Sequence, residues 1–111
     1  MQVQLERSER DGATIVSVAG ELDALAAPAL DDFLAAQGAI EQLVLDLGDV
    51  TFLDSTGLGH VIKAYRSVTG AGGTFALVAT APRVLKVLTI TGVDERIGVW
   101  SSVDAALAGD G

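Results

Sequence analysis

Apolar positions fall along this chain in two distinct periods, and the alternation between them predicts its architecture. Val3 and Leu5 alternate with Gln2, Gln4 and Glu6, the two-residue repeat of a strand with one wet face. Asp11-Gly12 offers a tight turn before Ile15, Val16 and Val18, so the two runs are expected to pair as an N-terminal hairpin at a sheet edge. The stretch from Gly20 to Asp23 reads as a connection. Pro28 then marks a helix start, because its missing N–H is no loss in a first turn. Leu30, Phe33 and Leu34 recur at helical spacing with Asp31 and Asp32 on the other side, and Gly38 can end that helix in a left-handed conformation.

The run from Leu43 to Leu47 is almost continuously apolar, as in a strand covered on both faces. A loop to Asp54 is expected next. Leu58, Val61, Ile62, Tyr65 and Val68 then form the apolar stripe of a helix that turns Lys63, Arg66 and Ser67 to water and ends at Gly70. Thr74 to Ala79 repeats the buried-strand signal, and Ala81-Pro82 opens a third helix with Val84, Leu85 and Leu88 inward and Gly92 at its end. Ile97, Val99 and Trp100 make a short last strand; Ser101 or Ser102 can cap a final helix through Leu107, and Gly109 to Gly111 form a tail. Strand, helix, strand, helix is the pattern of parallel βαβ units. The expected fold is therefore α/β, one domain over residues 1–111, with a small mixed sheet, an N-terminal hairpin at its edge and amphipathic helices packed on it.

Composition narrows the function. A formal net charge of −8 repels phosphate backbones and anionic membrane surfaces, which argues against direct nucleic-acid binding and for a protein partner with a basic or apolar face. The absence of cysteine removes disulfides, thiolate catalysis and cysteine-based metal or redox sites. The N-terminus lacks the charged start and apolar run of a signal peptide, and no stretch approaches the roughly 20 apolar residues that span a bilayer, so a cytoplasmic protein without membrane insertion is expected.

The chemistry-bearing residues gather before the second helix, at Asp54-Ser55-Thr56-Gly57. An enzyme would need a base for the Ser55 hydroxyl. His60, the one histidine, lies about 140° from Ser55 around a helix at ~100° per residue, and is read as a surface residue that can neither activate Ser55 nor hold a metal alone. The spacing also fails an aspartic-protease signature, a dinucleotide fingerprint and a P-loop. Asp54, Ser55 and Thr56 each suit an N-cap, worth about 1 kcal/mol over alanine, and one cap suffices. Three capping types followed by Gly57 and Gly59 exceed what the helix needs, and leave the backbone open to close approach by another molecule.

The segment from Leu45 to Gly59, containing Asp54-Ser55-Thr56-Gly57-Leu58-Gly59, resembles the signature of bacterial anti-sigma factor antagonists, the stand-alone STAS-domain proteins. Gly20 to Asp23 resembles their upstream motif, and Ile90 to Val93 the step that ends their third helix. The resemblance covers nearly the whole chain. It implies a non-enzymatic partner switch in which Ser55 is phosphorylated by an anti-sigma factor with kinase activity and restored by a serine phosphatase. ATP and magnesium would belong to the kinase, and the chain itself would carry no cofactor or metal. The unphosphorylated form would bind the anti-sigma factor and free the sigma factor, with Asp23, Asp54, Ser55, Thr56, Gly57, Leu58 and Gly59 as the partner-binding residues. The alternative is a STAS scaffold or subunit of a transport or signalling complex, with Ser55 only a cap.

Overall fold

Asp11 at φ 53° and Gly12 at φ 84° occupy the left-handed region that a two-residue hairpin turn requires. They join β1 (Val3–Arg10) to β2 (Ala13–Leu22) in an antiparallel ladder running from Arg10↔Ala13 to Val3↔Gly20. The computed structural model describes residues 3–109, so Met1, Gln2 and the last two residues of the expected tail lie outside it. From β2 onward every pairing is parallel: β3 (Gln42–Leu53), β4 (Thr74–Val78) and β5 (Val99–Trp100) follow in chain order across a five-stranded sheet. The crossovers are α1 (Ala27–Ala36), α2 (Ser55–Gly70) and α3 (Pro82–Ile90), the last followed by a 3-10 turn at Val93–Glu95. The chain closes with α4 (Val103–Ala108), whose Ser102 Oγ accepts from the N–H of Ala105 at 3.0 Å.

The sheet has two faces of unequal cover. Val16, Leu45, Leu77 and Val99 stand in register on one face, where Leu30 of α1, Val61 of α2 and Leu88 of α3 pack in the same apolar cluster. Leu30, Leu45, Leu77 and Leu88 are fully buried, each contributing about 1.5–3 kcal/mol by its removal from water. On the other face a smaller cluster of Ala13, Ile15, Val44 and Val78 is covered by Trp100 and by Val103, Ala106 and Leu107 of α4. Helices α1, α2 and α3 thus share one side, and α4 protects part of the other.

The expected elements are all present, with local corrections, and the last strand is Val99–Trp100 alone, Ile97 lying before it. Gly20 to Leu22 is strand rather than connection, and β3 runs on through Thr51 and Phe52 to Leu53. Two bulges make this possible: between Ser17↔Asp46 and Ala19↔Asp49, and again between Gly20↔Val50 and Glu21↔Phe52, β3 advances one residue more than β2. Gly48-Asp49 looks like a turn in sequence because a bulge uses the same residue types, here with Asp46 Oδ1 accepting from the N–H of Gly48 at 2.8 Å. Asp31 faces α2 rather than open water, since it sits where the two helices meet. Leu85 is 37 % exposed, because α3 is short and buries only Val84 and Leu88 fully.

Candidate functional site

The ends of β2 and β3 lie side by side, Leu22 opposite Leu53, so the segments that leave them emerge together at the C-terminal end of the parallel strands. Such ends are where open α/β sheets place their functional loops. Asp54, extended at φ −100° and ψ −178°, is the N-cap of α2, and its Oδ1 accepts from the N–H of Gly57 at 2.8 Å. Its second oxygen, Oδ2, accepts from the N–H of Ala24 at 3.1 Å. One carboxylate therefore ties the start of α2 to the loop after β2. Asp23 organises that loop from within: its Oδ1 accepts from the N–H groups of Leu25 at 3.1 Å and Ala26 at 3.0 Å.

With the cap supplied by Asp54, Ser55 and Thr56 are exposed and make no side-chain hydrogen bond among the described residues. Gly59 is exposed beside them, while Gly57 and Leu58 are buried, Leu58 within the main core. The expectation that both glycines open the backbone to another molecule is corrected at Gly57. The group that approaches there is the chain's own Leu22 carbonyl oxygen, 2.0 Å from where a Cβ would stand. Gly59 keeps open space around it. Sequence reasoning gave no weight to Leu25, 81 % exposed on the loop that Asp23 shapes, or to Phe52, 38 % exposed two residues before Asp54. Leu25 carries no periodic signal, and Phe52 looked like loop because the bulged strand was not recognised.

The two bonds of Asp54 set a measurable dependence. Asp54→Ala should destabilise the fold by about 1.5–2.5 kcal/mol, about 1–2 from the lost cap and about 0.5 from the bond to the exposed Ala24 N–H, which water then takes. Asp54→Asn, which keeps one acceptor oxygen, should lose roughly half as much. Urea unfolding of the two variants checks this, and equal stabilities would contradict the bridging role.

His60 is not the free surface residue expected from its helical phase. Its Nδ1 lies 2.9 Å from Asp31 Oδ2, with the side chain 24 % exposed, and Lys63 Nζ reaches the same oxygen at 3.0 Å. Burial by itself pushes the Asp31 carboxyl up, but His60 and Lys63 outweigh it by hydrogen bonding and charge, and hold it below the usual carboxylate value. A carboxylate so depressed stabilises the fold above its unfolded pKa, and that contribution is lost as pH falls through the folded value. The stability difference between the parent and Asp31→Asn should therefore shrink by about a few tenths of a kcal/mol between pH 5 and pH 2. Paired denaturation curves read this directly; a gap that widens in acid would reverse the sign.

Residues 4–106 match the family model described as STAS domain, and the chain belongs to the STAS-domain family. Proteins named anti-sigma factor antagonists are among the relatives that match it over most of their length. The anti-sigma-B factor antagonist of Listeria monocytogenes is 34 % identical over 102 residues, covering 89 % of this chain and 90 % of its own. That of Bacillus subtilis is 32 % identical over 102 residues, covering 89 % and 92 %. The crystal structure of an anti-sigma factor antagonist from Mycobacterium paratuberculosis matches with a TM-score of 0.87 at 32 % identity, over 96 % of this chain and 92 % of that one. Among the described residues no helix is long and apolar enough to cross a membrane.

Proposed function

We propose that this protein is an anti-sigma factor antagonist whose binding is switched by phosphorylation of Ser55. The observation that carries the reading is an exposed Ser55 at the first position of α2, freed from capping by Asp54, in a chain about one-third identical to proteins of that name. In its unmodified form the protein binds a cognate anti-sigma factor and so releases the sigma factor. The surface it offers is the Ser55-Thr56 start of α2, Gly59, and the loop that Asp23 and Asp54 hold beside them. Gly57 and Leu58 support this surface from beneath, and Leu25 and Phe52 add apolar contact at its border. The protein acts as a binding partner in the cytoplasm, and the catalysis belongs to its partners.

In the modifying step the Ser55 Oγ attacks the γ-phosphorus of ATP held by the anti-sigma factor. An Oγ–P bond forms, the bond to the β-phosphate oxygen breaks, ADP leaves, and the hydroxyl proton passes to a base of the kinase. A serine phosphatase reverses the modification by hydrolysis. The added phosphate carries about −1.5 to −2 charge. The positive end of α2 favours it by roughly 0.3–1 kcal/mol, while the adjacent Asp54 carboxylate opposes it. The two effects are of similar size, so the fold is retained and the change lies in the surface a partner meets. Incubation with candidate anti-sigma kinases from the same cell and magnesium ATP, followed by mass spectrometry, tests the step. The expected result is one phosphate on the peptide containing Ser55; modification elsewhere, or co-purification with a permease in place of an anti-sigma factor, would overturn the reading.

A further inference from the structure

We propose that the groove between the C-terminal halves of α1 and α2 binds a small amphipathic amine, a compact apolar body bearing one protonated nitrogen. The groove exists because the positions that face across it are small. Ala35 on α1 and Ala64 and Ser67 on α2 line a hollow of about 970 Å³. That volume lies at the upper end of the range of about 300–1,000 Å³ used by small-molecule sites. Leu34, Leu43 and Val68 give it an apolar floor.

The charge around this hollow selects a cation. Both α1 and α2 run back from the end of one parallel strand to the start of the next, so their C-termini finish at the same end of the sheet and border the groove at Gly38 and Ala71. Neither helix carries a basic residue in its last turn. Each helix end presents about half a negative charge. Asp32 and Glu41 lie exposed on the rim with no ion-pair partner among the described residues, and the lining lysine, Lys63, is engaged with Asp31. Anions are repelled, and neutral polar molecules gain little from the floor. A protonated amine with an apolar body satisfies both.

The groove's lining on α2 begins at Lys63, about 12 Å along the helix from Ser55 at ~1.5 Å per residue, and Ser55 does not line it, so the two sites can be tested separately. The experiment is a heteronuclear NMR titration of the full chain with tryptamine, beside N-acetyltryptamine, which keeps the indole and removes the charge. Saturable shifts are expected at the amides of Gly38, Glu41, Gly72 and Gly73, with the amine binding about tenfold more tightly than its neutral analogue. Asp32→Asn combined with Glu41→Gln should weaken tryptamine severalfold and leave the analogue unchanged, and Ala35→Leu, at an exposed position, should fill the groove and abolish both. No saturation up to about 10 mM, equal affinity for the two probes, or shifts centred elsewhere would overturn the proposal. Tighter binding of a lysine-rich peptide at these amides would overturn the choice of occupant.

Discussion

Replacing Ser55 with aspartate should weaken binding to the cognate anti-sigma factor by about 100-fold or more, while Ser55→Ala stays within about threefold of the parent. The two variants differ little in their effect on the fold. Ser55 is exposed and does not cap α2, so alanine removes no side-chain bond, and an acidic residue at the first helical position is favoured by the helix dipole. Melting temperatures of both should remain within about 3 °C of the parent. The difference arises at the partner's surface. A pocket that closes over a neutral hydroxyl must strip water from a carboxylate, and an unpaired buried charge costs several kcal/mol. At about 1.4 kcal/mol per tenfold, even about 3 kcal/mol accounts for two orders of magnitude. Titration calorimetry of both variants against the same anti-sigma factor provides the measurement, and indistinguishable affinities would sink the switch.

The fold was legible wherever one periodicity ruled a segment. The stripe from Leu58 to Val68 marked α2 because its inward positions follow the helical repeat, with Leu58, Val61 and Val68 buried and Ile62 and Tyr65 partly so. Leu43 to Leu47 marked the middle of the sheet because β3 pairs with β2 and β4, and three helices and α4 cover its two faces. Legibility failed where hydrogen-bond geometry, rather than burial, decides the conformation. The bulges of β3 hide strand residues behind glycine and aspartate, and a strand carrying Asp46, Gly48 and Asp49 looks like a loop until its partner is known.

The site was legible as a cluster of residue types, but the division of labour within it was not. Asp54, Ser55 and Thr56 are equally good caps in sequence; only the direction of the Asp54 carboxylate, with one oxygen on Gly57 and the other on Ala24, assigns the cap and releases Ser55. Asp23 gave no sign of a partner because its partners are the backbone N–H groups of Leu25 and Ala26. His60 and Asp31 are 29 positions apart, on helices whose rotation about each other no single-chain periodicity encodes.

Gly57→Ala should cost about 3 kcal/mol or more and lower the melting temperature by about 12 °C or more. An alanine Cβ at this position would stand 2.0 Å from the Leu22 carbonyl oxygen and 3.0 Å from Leu53 Cδ1. The nearer obstacle is backbone at the end of β2, which cannot rotate away as a side chain can. The start of α2 must therefore move off the sheet, and that movement stretches the bond from the Gly57 N–H to Asp54 and, through Asp54, the tie to Ala24. Gly59, two residues along the same helix, is the built-in control. Nothing lies within 4 Å of a Cβ placed there, and its backbone does not need a positive φ. Gly59→Ala should thus stabilise by about 0.5–1 kcal/mol, through the higher helix propensity of alanine. Opposite signs from the same substitution two residues apart separate steric contact at the β2 end from any general effect of adding a methyl group. If thermal denaturation places both variants within about 2 °C of the parent, the close approach of α2 to Leu22 is wrong, and with it the account of how Ser55 is held at the surface.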